Sequence, residues 1–113
     1  MAETYYYCSG TTKQSVSVDL SAGTCSLYQT YDDGYYIYRI YRGLITITLS
    51  IAIPVDLIVR YSYLYTYTTE GGEVQYTVTT TATVPAGIKT HSFYDTCKQE
   101  RWDSEGGGGG TPL

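Results

Sequence analysis

Apolar and polar residues alternate along most of this chain with a period of two. Between residues 44 and 53, the odd positions 45, 47, 49, 51 and 53 are all Ile or Leu, and a tyrosine occupies each odd position from 61 to 67. Successive side chains of a β-strand point to opposite faces, so this period indicates strands. Because no stretch of a dozen residues has apolar positions at helical spacing, the chain is predicted to be all-β.

Glycine, proline and aspartate divide the alternating stretches into short strands. Arg42-Gly43 is predicted to interrupt one stretch, and Pro54 to end another. The predicted fold is a small antiparallel β-sandwich, or an immunoglobulin-like or jelly-roll-like barrel, with a projecting hairpin and flexible termini. The predicted strands are Thr4–Ser9, Gln14–Leu20, Thr24–Tyr31, Tyr35–Tyr41, Leu44–Ile53, Val55–Thr69, a strand that ends at Val84, and Ile88–Thr96.

A hairpin is predicted around Glu70–Glu73, because two glycines between alternating stretches suit a two-residue turn. With these glycines as the turn, Tyr67 would face Tyr76, and on the opposite side of the ribbon Ser62 would face Thr81. A slip by one residue would set tyrosines against polar side chains, so the alternation itself selects this register.

The chain is predicted to form one domain with two flexible ends. Residues 1–97 would make the β-domain, in which residues 1–9 form a short N-terminal arm. Residues 98–113 are polar and include five consecutive glycines at 106–110. Such a segment lacks core-forming residues and has high backbone entropy, so it is predicted to be a flexible tail.

Length and charge argue against several classes of function. The chain has 113 residues, enough for one modest core, and a formal net charge of −4. Its seven Lys and Arg residues are scattered, which argues against direct nucleic-acid binding. The first four residues lack the basic and apolar regions of a signal peptide, so synthesis in the cytoplasm without a secretion signal is expected. Leu44–Val59 is too short and too strand-like to span a membrane as a helix.

The three cysteines leave two interpretations open. Cys8, Cys25 and Cys97 can be small apolar core residues. Alternatively, Cys8 and Cys25 form a disulfide, and Cys97 is free or paired between subunits. A zinc site has little support, because only His91 could complete a set of four ligands.

Catalytic and metal-binding motifs are not recognisable. His91 is the single histidine, and no nucleophile elbow or Cys/His arrangement accompanies it. Asp32-Asp33-Gly34 and Glu70–Glu73 place carboxylates beside glycines, but they lack EF-hand spacing and are typical of turns. We therefore predict no enzyme activity, no cofactor and no metal.

Tyrosine is the unusual feature of the composition, with 15 copies. A domain of this size has difficulty burying so many rings, and contiguous exposed aromatic surface usually marks an interaction site. The residues predicted to form a subunit interface are Tyr5, Tyr6, Tyr7, Tyr61, Tyr63, Tyr65, Tyr67, Tyr76 and Trp102.

These observations predict a structural subunit of a homomeric assembly, held together by tyrosine-rich strand faces. The preferred hypothesis is a bacteriophage virion protein, such as a capsid decoration, fibre or tail-associated protein, with itself and other structural proteins of the virion as partners. The alternatives are a carbohydrate-binding or adhesion module, in which exposed tyrosines stack on a glycan, and a subunit of an extracellular bacterial or archaeal filament.

Overall fold

The computed structural model of the protein describes residues 2–104. The fold is all-β, as predicted, and the described residues form strands and no helix. The strands are β1 (Ala2–Ser9), β2 (Thr12–Ala22), β3 (Ser26–Asp32), β4 (Tyr36–Leu49), β5 (Leu57–Thr69), β6 (Gly72–Val84) and β7 (Thr90–Asp103).

The last strand of the sequence lies in the middle of the hydrogen-bonded sheet. Neighbouring strands follow the order β1-β2-β4-β7-β5-β6, and β3 pairs with β4. β5 and β7 are parallel, with Thr66 opposite Lys98 and Thr68 opposite Glu100, whereas the prediction was antiparallel throughout. The strand order is compatible with the predicted sandwich or barrel class. Pairing with β7 also means that the turn-side half of the β5–β6 hairpin is attached to a second strand.

β7 reaches its central position through the connection 85–89, which passes the loop between β4 and β5. Within it, the Gly87 N–H donates to the Ile53 carbonyl at 2.7 Å, and the Ala86 N–H donates to Asp56 Oδ1 at 2.9 Å. Gly87 has a φ of 81°, a conformation that favours glycine. These bonds satisfy the backbone of the connection and fix where β7 begins.

The boundaries of β4 differ from the prediction. The strand continues through Arg42 and Gly43, where a break was predicted, because β3 pairs with it on both sides of Ile40 and Ser26 faces Arg42. At its other end β4 stops at Leu49, and Ile51 lies outside it. Ile51 was predicted to lie on the same strand face as Ile45, Ile47 and Leu49, but it lies outside the strand and is 53% exposed.

Both predicted flexible ends contain paired strands. Residues 2–9 of the predicted N-terminal arm form β1, which pairs with β2 along its length. Residues 98–103 of the predicted tail belong to β7, so that part of the prediction was wrong. Ser104 is buried, and its Oγ donates to Asp32 Oδ2 at 2.8 Å. Polar side chains can occupy a central strand when neighbouring polar groups bond to them, which composition alone does not reveal. Residues 105–113 of the predicted tail lie outside the described residues.

The β5–β6 hairpin has a register two residues away from the predicted one. Ser62 Oγ lies 2.8 Å from Thr79 Oγ1, and the Tyr65 ring stacks on Tyr76 with 6.2 Å between centroids. The turn is therefore Glu70-Gly71 rather than the two glycines. Because the shift is even, each side chain keeps its predicted face, and only its cross-strand partner changes.

The chain divides into two compact units. The first comprises the described residues 2–23, 44–62 and 79–93, and we call it the aliphatic unit. Alternating residues of its strands meet in one apolar cluster. The buried members are Tyr7, Val16, Val18, Ile45, Ile47, Leu49, Ile53, Leu57, Val59 and Val84.

The second unit comprises residues 24–43, 63–78 and 94–104, and we call it the aromatic unit. None of the buried apolar residues of the described chain belongs to it. Its strands are joined instead by ring stacking, cation–π contacts, hydrogen bonds to tyrosine hydroxyls and a disulfide. Glu100 is buried there, accepts a hydrogen bond from the Tyr41 hydroxyl at 3.0 Å, and forms an ion pair with Lys98 at 3.3 Å.

The disulfide joins Cys25 to Cys97, so the alternative of a Cys8–Cys25 bridge was wrong. Cys25 precedes β3, Cys97 lies in β7, and Cys8 is a free, exposed thiol on β1. The two bonded cysteines are 72 residues apart in sequence, so the bond closes a long loop of the unfolded chain. No spacing motif marks this pairing, because it depends on the central placement of β7.

We expect Cys97→Ala to lower the free energy of unfolding by about 4 kcal/mol, the loop-closure entropy of a ring of this size. Urea unfolding monitored by tyrosine fluorescence would measure the change. Cys8→Ala, which removes an exposed unbridged thiol, is the control and should change stability by less than about 0.5 kcal/mol. Equal effects of the two substitutions would contradict the stabilising role of the bridge.

Candidate interaction surfaces

Two of the predicted interface tyrosines are core residues. Tyr7 is 8% exposed and Tyr61 is 7% exposed, both in the aliphatic unit. The Tyr61 ring packs against Phe93, with 5.7 Å between centroids, and the Tyr7 hydroxyl donates to Gln14 Oε1. These two rings present no free surface, so they do not form the predicted interface. The alternating pattern identified the strand face on which these rings lie, but not the elements that pack on that face.

The Tyr5 hydroxyl forms two hydrogen bonds inside the aliphatic unit. This oxygen donates to the Arg60 carbonyl at 3.2 Å and accepts from the Arg60 N–H at 3.1 Å. One side chain of β1 thus bonds both backbone groups of a residue in β5. Tyr5 is half-buried, and its role is to tie the first strand to the fifth rather than to reach another molecule.

Beside Tyr5 a groove of about 620 Å³ opens in the aliphatic unit. Its floor is apolar, with Val18 and Val59 buried, and its rim carries the carboxylate of Glu3 and the guanidinium of Arg60. This volume falls within the range of small-ligand sites.

The tyrosines of the outer half of β5 are half-buried, and two of them have committed hydroxyls. Tyr63 donates to Asp95 Oδ1 at 3.4 Å, and Tyr65 donates to Gln99 Oε1 at 3.0 Å. Burial raises the pKa of both phenols, and the nearby Asp95 carboxylate raises that of Tyr63 further. The predicted tyrosine ladder is therefore mainly an internal feature of the aromatic unit.

Six tyrosines are exposed, and their hydroxyls form no hydrogen bond with any described residue. Two of them, Tyr6 and Tyr76, were predicted interface residues. The other four were missed because they lie at turns or at isolated positions rather than in the most regular ladder. The six are Tyr6, Tyr28, Tyr31, Tyr35, Tyr76 and Tyr94. Trp102 is half-buried, and its indole N–H is buried without a partner among the described residues.

One face of the aromatic unit carries a series of ring contacts. Tyr31 stacks on Tyr38 with 4.7 Å between centroids, and Tyr38 meets the edge of Tyr36 at 6.1 Å. The Arg101 guanidinium lies 4.5 Å from the Tyr36 centroid. Gln99, the partner of Tyr65, is two residues from Arg101 on β7 and therefore lies on the same face. Ring and cation–π contacts thus run from β3 through β4 to Arg101 on β7.

A second aromatic contact surrounds Arg42 on β4. Its guanidinium carbon lies 3.5 Å from the Tyr28 centroid and 4.7 Å from the Tyr94 centroid. Tyr28 is the extra residue of a β-bulge, since Leu27 faces Tyr41 and the next paired residue is Gln29. Bulges redirect side chains and occur near functional sites. We call Tyr28, Arg42 and Tyr94 the Arg42 site.

The acidic motifs act as turn chemistry in the structure. Asp33 Oδ1 accepts the N–H groups of Tyr35 and Tyr36, and these bonds lower the pKa of Asp33. At the hairpin turn, a hydrogen bond with Asp103 raises the pKa of Glu70. Within residues 2–104 there is no group of three or more potential metal ligands. His91 packs against Phe93 at 5.6 Å between ring centroids.

Comparison with protein-family models, with curated proteins and with solved structures finds no match to this chain. Residues 2–104 include no helix of sufficient length and hydrophobicity to cross a membrane.

We expect Tyr5→Phe to lower the free energy of unfolding by about 1 kcal/mol, because the substitution removes both bonds to the Arg60 backbone while keeping the ring. Tyr6→Phe is the matched control, since the Tyr6 side chain is exposed and should contribute little. Urea unfolding of the two variants beside the parent protein would measure the difference. Indistinguishable midpoints for the two variants would contradict the bridging role of Tyr5.

We expect the protein to lose stability above about pH 10, near the ordinary pKa of tyrosine. Burial raises the folded-state pKa of Tyr38, Tyr41, Tyr63 and Tyr65 above the unfolded value of 10.0. Groups with raised pKa values stabilise the folded state fully below the unfolded pKa, and lose this contribution as pH rises through the folded pKa. Melting temperatures between pH 8 and pH 11 would test this, together with tyrosinate absorbance.

Tyr63→Phe should remove part of the high-pH loss of stability. Tyr35→Phe, at a ring that is 74% exposed, is the control for the removal of a phenol hydroxyl. A melting temperature that stays constant through the whole tyrosine titration would contradict the expectation.

Proposed function

We propose that this protein is a non-enzymatic structural subunit that assembles with copies of itself. The contact would be formed by the free edge of β6 and by Tyr76, the exposed tyrosine of that strand. The observation that carries the proposal is that edge. Within the described residues β6 has one strand neighbour, β5, so every second residue directs its N–H and C=O groups away from the sheet.

β6 has the features of an edge that pairs with another strand. It has 13 residues, compared with 8 in β1 and 7 in β3, which are the other strands with a single partner. Its sequence contains one charged residue, Glu73, and neither lysine nor proline. Natural proteins usually protect edge strands with charges, prolines or short length, and an unprotected edge is a template for association.

The side chains of β6 favour a second copy of the same strand as the partner. Val74 is 49% exposed and Tyr76 is 50% exposed, on the face where Tyr76 stacks on Tyr65. Antiparallel pairing of two β6 strands would bring these apolar patches together around a two-fold axis. On the other face Thr77, Thr79 and Thr81 would form cross-strand threonine contacts, which are favourable in sheets.

We further propose that the assembly is a bacteriophage virion, in which the protein serves as a capsid decoration, fibre or tail-associated protein beside other structural proteins. This identity is supported by the small size, the low charge and the strands rich in tyrosine and threonine. Electron microscopy of native particles would test it, as would the neighbouring genes, among which capsid and portal genes are expected.

We expect the purified protein to self-associate at micromolar concentration, and Thr77→Lys to weaken this association at least tenfold. The substitution places a charge on each copy of the exposed edge, where two lysines and their solvation oppose pairing. Light scattering coupled to size-exclusion chromatography over a concentration series would measure the effect.

Thr4→Lys is the matched control, because Thr4 is an exposed threonine on β1, another strand with a single partner among the described residues. This variant should associate as the parent protein does. A parent protein that stays monomeric at high micromolar concentration would contradict self-assembly. Association lost in Thr4→Lys but kept in Thr77→Lys would instead place the contact on β1.

A further inference from the structure

We propose that the Arg42 site binds a carboxylate-bearing sugar, with the guanidinium of Arg42 pairing with the carboxylate and the rings of Tyr28 and Tyr94 contacting the sugar. The site lies on β3, β4 and β7 and does not depend on the contact proposed for β6. It would give the protein a binding function in addition to assembly.

The guanidinium of Arg42 has N–H donors that no described residue occupies. The structure records no hydrogen bond and no ion pair for its side chain with any described residue. Its Nε atom is buried without a partner among residues 2–104, whereas the two terminal nitrogens are not fully buried. The terminal edge of the guanidinium is therefore not committed to any described residue. A planar fork of N–H groups is the geometry that matches a carboxylate.

The guanidinium of Arg42 is held in place before any ligand binds. The Tyr28 ring lies against it at 3.5 Å and the Tyr94 ring at 4.7 Å, so its plane is restricted. The bulge in β3 positions Tyr28, and the disulfide from Cys25 fixes the start of β3 to β7. A donor that is already ordered loses less entropy on binding than a mobile surface arginine.

The rings of Tyr28 and Tyr94 indicate the class of ligand. Tyr28 is 56% exposed and Tyr94 is 59% exposed, and neither hydroxyl is hydrogen-bonded within the described residues. Each ring thus offers an apolar surface and a polar tip to one ligand. A pyranose ring has C–H faces that suit the aromatic surface, and hydroxyls that suit the phenol oxygens. A uronic acid adds the carboxylate that the arginine fork selects.

The experiment uses the full chain and a trimer of galacturonate, with the methyl-esterified trimer as the matched ligand. The esterified sugar keeps the rings and hydroxyls but lacks the carboxylates. Because Arg42 Nε is buried, its N–H proton should exchange slowly with solvent and give an observable NMR signal. We expect this signal to shift and saturate with the acid, and to remain unchanged with the ester.

Arg42→Lys keeps the charge but loses the planar fork, and should weaken binding of the acid at least tenfold. Arg39→Lys is the matched control: Arg39 lies three residues away on β4, and so on its opposite face. This control should bind within twofold of the parent protein. Tyr28→Leu, which removes the ring but not the charge, should also weaken binding. Dispersed amide spectra of all variants would verify that they fold.

Three results would overturn the proposal. The first is the same response to the acid and to the ester, which would mean stacking without carboxylate recognition. The second is binding of the acid that Arg42→Lys does not weaken, or no binding at all. The third is binding of a glutamate-rich peptide without binding of the galacturonate trimer, which would assign the site to a protein partner.

Discussion

The aromatic unit depends on the central position of β7. Side chains along this strand contact the rest of the unit at several positions. Tyr94 meets Arg42, Asp95 accepts from Tyr63, Cys97 bonds to Cys25, Gln99 accepts from Tyr65, Glu100 accepts from Tyr41, and Arg101 lies over Tyr36. Among its described residues the unit has no buried aliphatic cluster, so these directional contacts take over the role that apolar burial has elsewhere.

This difference in chemistry explains how the tyrosines divide. Apolar burial is non-directional, and it accepts the rings of Tyr7 and Tyr61 among the aliphatic side chains of the first unit. In the aromatic unit the half-buried rings keep their hydroxyls near the rim, where partners such as Asp95 and Gln99 can bond to them. The hydroxyls of the six exposed rings have no such partner among residues 2–104.

Two local features of the sheet determine what surrounds the exposed rings of Tyr28 and Tyr76. The bulge in β3 places Tyr28 over Arg42, and the long edge of β6 presents Tyr76 beside unpaired backbone groups. Both follow from strand pairing rather than from side-chain composition. They produce two different surfaces, one cationic and aromatic, the other with a single charged residue and suited to strand addition.

The sequence by itself determined the fold class, because a period of two is a local property that reports strands wherever it occurs. It also determined which face each residue of the hairpin occupies, and the even shift of register left those faces unchanged.

Only the tertiary structure decided which strands are neighbours. The placement of β7 between β4 and β5 brings Cys97 to Cys25, gives Tyr63 and Tyr65 their partners, and makes a strand of polar residues that composition assigned to a tail. Likewise, the bulge at Tyr28 exists only because β3 pairs with β4 on either side of it. These features arise from contacts between residues far apart in the chain, and the local pattern carries no information about such contacts.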